Sequence, residues 1–192
     1  MELKRELNPK LKAWFDARLL HPTPLPFEHP HNPTKMLLLT ALICQNIVET
    51  QGDNHGTMVE WFQDTIGQPK GEPWCLSFVQ SCIAYVETFG FDSGVYPTEH
   101  CLTAWGKSAC VKSQTPIAGD IVIYRYGDTQ NGHCGIVRAV SAASIDTIEG
   151  NTGPSGGFID RNGDGVYLKS RLKGGIGKMH QVGFLRPFSV AK

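Results

Sequence analysis

Residues 118–153 read AGDIVIYRYGDTQNGHCGIVRAVSAASIDTIEGNTG, and this block limits the fold more than any other part of the chain. Ile121–Tyr126, residues 133–140 and residues 144–151 are short runs rich in β-branched and aromatic side chains. Breaks rich in Gly, Asp, Asn and Ser separate them. Strands joined by such short breaks pair antiparallel, and the apolar face of their sheet needs a cover. The cover lies upstream. In the segment 75–90, Cys75, Phe78, Val79, Cys82, Ile83, Val86 and Phe89 recur at spacings of three and four, which predicts one apolar helical face. Ser77, Gln80, Ser81, Glu87 and Thr88 fall on the opposite face, which is expected to be polar. Pro73 suits the first turn and Gly90 the stop. The fold class expected is α+β, with helices packed on one face of an antiparallel sheet.

Cys75 opens that helix. Unpaired N–H groups at a helix start stabilise a thiolate and can hold a developing oxyanion. Cys82 and Cys44 sit among core positions and read as packing. A reactive Cys75 needs a base. Of the seven histidines, His21, His29 and His31 lie in a proline-rich stretch, His55 in a loop, and His100 and His180 beside turns or polar segments. His133 alone opens a strand. It shares a face with Gly135 and Val137, and the bare Gly135 is expected to let a helix approach. On the next strand Ile145, Thr147, Glu149 and Asn151 share a face, so a carboxylate or an amide can reach the imidazole. Those are the parts of a thiol hydrolase. Glu149 is expected to be the imidazole's partner. A carboxylate stabilises an imidazolium where an amide only orients it, and Asn151 falls at the strand's frayed end.

The segments GEPWCLSFVQ, PIAGDIVIY, NGHCGIV, TIEGNTG and DGVYLKSR resemble the CHAP family, the cysteine- and histidine-dependent amidohydrolases/peptidases of the papain-like, NlpC-type cell-wall hydrolases. The resemblance runs from about residue 34 to 188. It implies a papain-like fold, N-terminal helices against an antiparallel sheet, with Cys75 as nucleophile, His133 as base, Glu149 as acidic partner and Asn151 as a fourth polar member. Leu76 stands where the family commonly has alanine, a change in packing. The resemblance also implies peptidoglycan as substrate, cut at the muramoyl–L-alanine amide or at a stem or cross-bridge peptide, as in an endolysin, a bacteriolytic toxin or a remodelling enzyme. A thiol amidase or isopeptidase acting on a non-wall substrate and an inactive wall-binding module are the other readings. No cofactor is called for.

The chain of 192 residues suits one domain with a sizeable core. The expected division is an N-terminal helix with a proline-rich arm over 1–33, then a catalytic domain over 34–192. Trp14 and Phe15 favour docking of the N-terminal helix over a free tail. Zero net charge argues against nucleic-acid binding by bulk electrostatics. The basic residues Lys169, Arg171, Lys173, Lys178 and Arg186 read as a solvated face. MELKRELNPK lacks the apolar core of a signal peptide, and MLLLTALI is too short to insert in a membrane. Synthesis in the cytoplasm is expected, with access to the wall by lysis or by specialised export, and an immunity or secretion partner is left unassigned. The six cysteines have irregular spacing and imply no disulfide framework. Cys101 and Cys110 with His100 lack the compact spacing of a metal site. DRNGDG at residues 160–165 imitates the start of a calcium loop, but position twelve is Arg171 where a bidentate Glu belongs. A turn between strands is the expected reading there, and no metal site is expected.

Overall fold

The structure, a computed structural model, describes residues 4–20, 32–154 and 163–190. Most of the proline-rich arm (21–31) and the start of the calcium-like sequence (160–162) lie outside the described residues. Helices α1 (Pro9–Leu19), α2 (Pro33–Ile43), α3 (Thr57–Asp64), α4 (Cys75–Glu87) and α5 (Cys101–Lys107) come first. Strands β1 (Cys110–Ser113), β2 (Ile121–Tyr126), β3 (Gly132–Val140), β4 (Ser144–Thr152), β5 (Gly165–Leu172), β6 (Gly175–Ile176) and β7 (Met179–Val190) follow. All pair antiparallel, in the order β1-β7-β2-β3-β4-β5, with β6 on β7. Since β6 follows β5 closely yet pairs with β7, the sheet curls back toward its own start. The architecture is the α+β arrangement expected, helices on a papain-like antiparallel sheet.

Two apolar clusters divide the sheet's faces. Ile121, Ile123, Cys134, Ile136 and Ile148 belong to the large core shared with the helices. Val122, Tyr124, Val137, Ile145 and Phe184 form a second cluster on the other face. Side chains alternate along a strand, so β2, β3, β4 and β7 each feed both clusters.

Helix α4 departs from expectation in two ways. Its start is Trp74 as N-cap, with Pro73 just outside the helix. Its polar face is not solvated, because every residue from Cys75 to Val86 is buried. α4 packs against β3 and β4 on one side and α2 and α3 on the other. The polar side chains there are satisfied internally, as buried polar groups must be. Ser77 Oγ donates to Gln68 Oε1, Gln80 Nε2 to the carbonyls of Tyr96 and Thr98 at 2.9 and 3.2 Å, and Ser81 Oγ to the Ser77 carbonyl at 2.8 Å. The period had located the face toward the sheet. It carried no information about a second layer of helices.

The glycine expected to admit a helix does something else. A Cβ at Gly135 would lie 2.5 Å from Glu149 Cγ, so Gly135 makes room for the Glu149 side chain. The close helix approach is at Gly150, where a Cβ would meet Phe78 Cβ at 2.8 Å and Trp74 Cζ3 at 2.9 Å.

α1 is capped by Asn8, whose Oδ1 accepts from the N–H groups of Lys10 and Leu11. Leu11, Phe15 and Leu19 are buried in the large core, and Trp14 packs against it. Arg5, ahead of α1, pairs with Glu87 at the end of α4 at 2.8 Å and donates to the Val95 carbonyl at 2.9 Å. The basic residues read as a solvated face divide. Lys173 and Lys178 are exposed, whereas Lys169 and Arg171 are buried. Arg186 is half-buried and forks onto Asp120 at 2.9 and 3.0 Å. Among the described residues, no helix is long and apolar enough to cross a membrane.

Candidate active site

Cys75 occupies the first turn of α4. Trp74 before it is fully buried, donates its indole N–H to Glu49 Oε1 at 2.9 Å, and stacks on Phe62. Gln68 braces the approach, donating Nε2–H to the Pro73 carbonyl at 2.9 Å while accepting from Ser77. These contacts hold the helix start in register. No side chain caps α4, so its first N–H groups face the site uncapped.

His133 is the second residue of β3 and is buried. Its Nε2 is 2.9 Å from Glu149 Oε2 on β4. Its ring also interacts with Cys75, and Nδ1 is the nitrogen that Glu149 does not engage. Burial disfavours the imidazolium, but the hydrogen bonds and charges of Cys75 and Glu149 outweigh it and raise the pKa to about 9. Burial alone would raise the Glu149 pKa. Hydrogen bonds from Arg171 and His133 reverse that and hold it at about 2.

The support under Glu149 was not legible in the sequence. Arg171 on β5 donates Nε–H to Oε1 at 2.9 Å and an Nη2–H to Oε2 at 2.5 Å, and Thr147 Oγ1 donates to Oε1 at 2.6 Å. Arg171 and Glu149 are both buried, with side chains 4% and 0% exposed. Cys75, His133, Glu149 and Arg171 thus form a line of alternating charge when Cys75 is a thiolate. Such a line offsets much of the cost of burying each ion. The only signal in the sequence was negative: an arginine where a calcium loop would end.

Asn151 lies at the bulge between Glu149 and Thr152, with φ of 53°. Its amide donates to Asn54 Oδ1 at 2.6 Å. Among the described residues no hydrogen bond joins it to His133. The extra residue in the bulge swings Asn151 out of the alternation that would have set it beside Glu149. It lines a cleft of about 410 Å³ together with Gln68, Cys75, Cys101, Tyr126 and His133.

Two further thiols adjoin Cys75. Its Sγ is 4.0 Å from Cys101 Sγ on α5, and the sulfurs of Cys75, Cys101 and Cys134 all lie within 4.8 Å of one another. Hydrogen bonds from Cys101 and Cys134, with His133 adding to them against burial, hold the Cys75 thiol well below its ordinary pKa. Burial and the contacts with Cys101 and Cys75 push Cys134 well up. Cys110, grouped with Cys101 by sequence proximity, opens β1 and is not in this cluster.

No curated protein matches the chain. Residues 67–151 match the family model of the CHAP domain. That span includes Cys75, His133, Glu149 and Asn151 and stops short of Arg171. The match implies a cysteine-dependent hydrolase, an amidase or peptidase of the cell wall. The similarity to a CHAP domain therefore covers residues 67–151, from the loop ahead of Cys75 to the bulge at Asn151.

Proposed function

We propose that the protein hydrolyses an amide bond of peptidoglycan, at the muramoyl–L-alanine link or within the stem or cross-bridge peptides. The observation that carries this reading is the Cys75–His133–Glu149 line at the head of α4, open to a cleft and lying within the CHAP span. Cys75 Sγ attacks the scissile carbonyl carbon as a thiolate. The tetrahedral oxyanion is held at the start of α4 by the Cys75 N–H. His133, protonated at Nδ1, delivers that proton to the leaving amine, and a thioester remains on Cys75. Water then attacks the thioester, His133 takes its proton, and the carboxylate product leaves with the thiolate restored.

Glu149 keeps the imidazolium oriented, and Arg171 and Thr147 keep Glu149 ionised. Asn151, bonded to Asn54, lines the cleft wall. Support for a wall substrate comes from the CHAP match. The test is incubation with purified sacculi, with mass spectrometry of the released fragments. New amino and carboxyl termini at one bond, present with the native protein and absent with Cys75→Ala, are expected. Intact sacculi alongside rapid turnover of small amides would move the substrate off the wall. Release that persists in Cys75→Ala would overturn the mechanism.

A further inference from the structure

The hydrolytic mechanism needs one thiol, and three converge. Cys75 comes from the head of α4, Cys101 from the head of α5 and Cys134 from β3. Their sulfurs lie within 4.8 Å of one another, and all three residues are buried. The other buried contact between cysteines, Cys44 with Cys82, involves two thiols in the core, and neither lines the cleft.

Zinc–thiolate bonds of about 2.3 Å in a tetrahedron put sulfurs roughly 3.8 Å apart. The Cys75–Cys101 separation of 4.0 Å is already close to that. With all three sulfurs within 4.8 Å of one another, the remaining pairs need close by no more than about 1 Å. Cys75 and Cys101 line the cleft, which gives a cation its entry and leaves the fourth position to water. Three thiolates select a soft cation over magnesium or calcium.

We infer that Cys75, Cys101 and Cys134 form a binding site for one thiophilic divalent cation of the zinc class, and that occupancy silences the nucleophile. On binding, Cys75 coordinates as a thiolate. The S–H bonds of Cys101 and Cys134 break, their protons pass to solvent, and three metal–sulfur bonds form. The sulfur lone pair that would attack a carbonyl is then held by the metal. The site stands on the three thiols alone, so it survives whether or not the substrate is peptidoglycan.

The probe is Cd²⁺, titrated into the full chain kept reduced by a phosphine. Thiolate-to-cadmium charge-transfer absorption reads binding, and mass spectrometry maps which cysteines the cation shields from alkylation. The expected result is saturation at one cation per chain with Cys75, Cys101 and Cys134 shielded. Cys101→Ala should weaken binding by more than about 100-fold, beyond what loss of a mere supporting group around a metal costs. Cys134→Ala should do the same, and Cys82→Ala should leave binding unchanged. If Cys134→Ala does not fold, the native shielding map and Cys101→Ala decide the matter. No saturable absorption, shielding of other cysteines, or binding untouched by Cys101→Ala would overturn the inference.

Discussion

Glu149 has both oxygens occupied, Oε2 by His133 and Arg171 and Oε1 by Arg171 and Thr147. Glu149→Gln should lower kcat by roughly 10²–10⁴-fold, the upper figure being that measured for the comparable Asp→Asn change in a serine protease. It should also move the alkaline limb of kcat/KM. With the His133 pKa raised to about 9, that limb is expected near 9 in the native protein. Removing the carboxylate charge shifts it down by about 1–3 units. An unchanged alkaline limb would show that Glu149 does not govern His133. Arg171 is the positioning residue behind Glu149. Arg171→Met strands a buried carboxylate, and breaking a buried pair in this way costs about 3–5 kcal/mol. The same acidification of the His133 limb should appear in that variant, because a Glu149 that protonates more readily supports the imidazolium less. Asn151 stands apart. Its amide holds Asn54, so Asn151→Ala should cost about tenfold through cleft geometry and leave the pH profile in place.

At the scale of elements, two glycines set the separation of strand, acid and helix. Gly135→Ala puts a methyl 2.5 Å from Glu149 Cγ, so the carboxylate must move off His133. Activity should fall about as far as in Glu149→Gln. Gly153→Ala, with nothing within 4 Å, should be silent on activity. Similar loss in both variants would mean that the Gly135 effect is not spatial. The period-two and period-three-to-four patterns made β2, β3, β4 and the sheet-facing side of α4 legible, since each reports one face of one element. They also put His133 and Glu149 on neighbouring strands within reach of each other. Arg171 was illegible for a physical reason. Its partner is 22 residues away across a β4–β5 pairing, and a basic residue in a basic segment reads as solvated until that register is known. The alternation that places Glu149 puts Asn151 on the same face, and the bulge moves it off, since a bulge leaves no mark in a face pattern.

For the molecule as a whole, the ion line also shapes stability against pH. Glu149 is depressed from 4.5 to about 2, so its contribution is complete above 4.5 and is lost as pH falls through about 2. His133 is raised from 6.5 to about 9, so its contribution is complete below 6.5 and is lost as pH rises through about 9. Their joint contribution is greatest between 4.5 and 6.5. The difference in Tm between the native protein and Glu149→Gln should be widest there. A difference that grows toward pH 9 would contradict the charge assignment. The division at 33/34 is tested by deleting residues 1–31, which spares the Asn32 cap of α2. A domain that folds with a lower Tm is the expected outcome, because Leu11, Phe15 and Leu19 leave the core. Phe15→Ala alone should cost about 3–5 kcal/mol. An unchanged Tm on deletion would make the segment a free tail. The helical pattern had marked Phe15 for burial, but not the partner, Tyr85 of α4 at 4.9 Å between ring centroids.

The central claim is that Cys75 rests as a thiolate, held by its neighbouring thiols and His133. The most direct measurement is the pH dependence of alkylation by iodoacetamide, with the modified residue identified by mass spectrometry. The account predicts rapid modification of Cys75 at neutral pH, ahead of the other five cysteines. Its rate should half-saturate far below the pKa of about 8.5 of a free thiol. A rate that rises only near that value, or a first label on another cysteine, would contradict it.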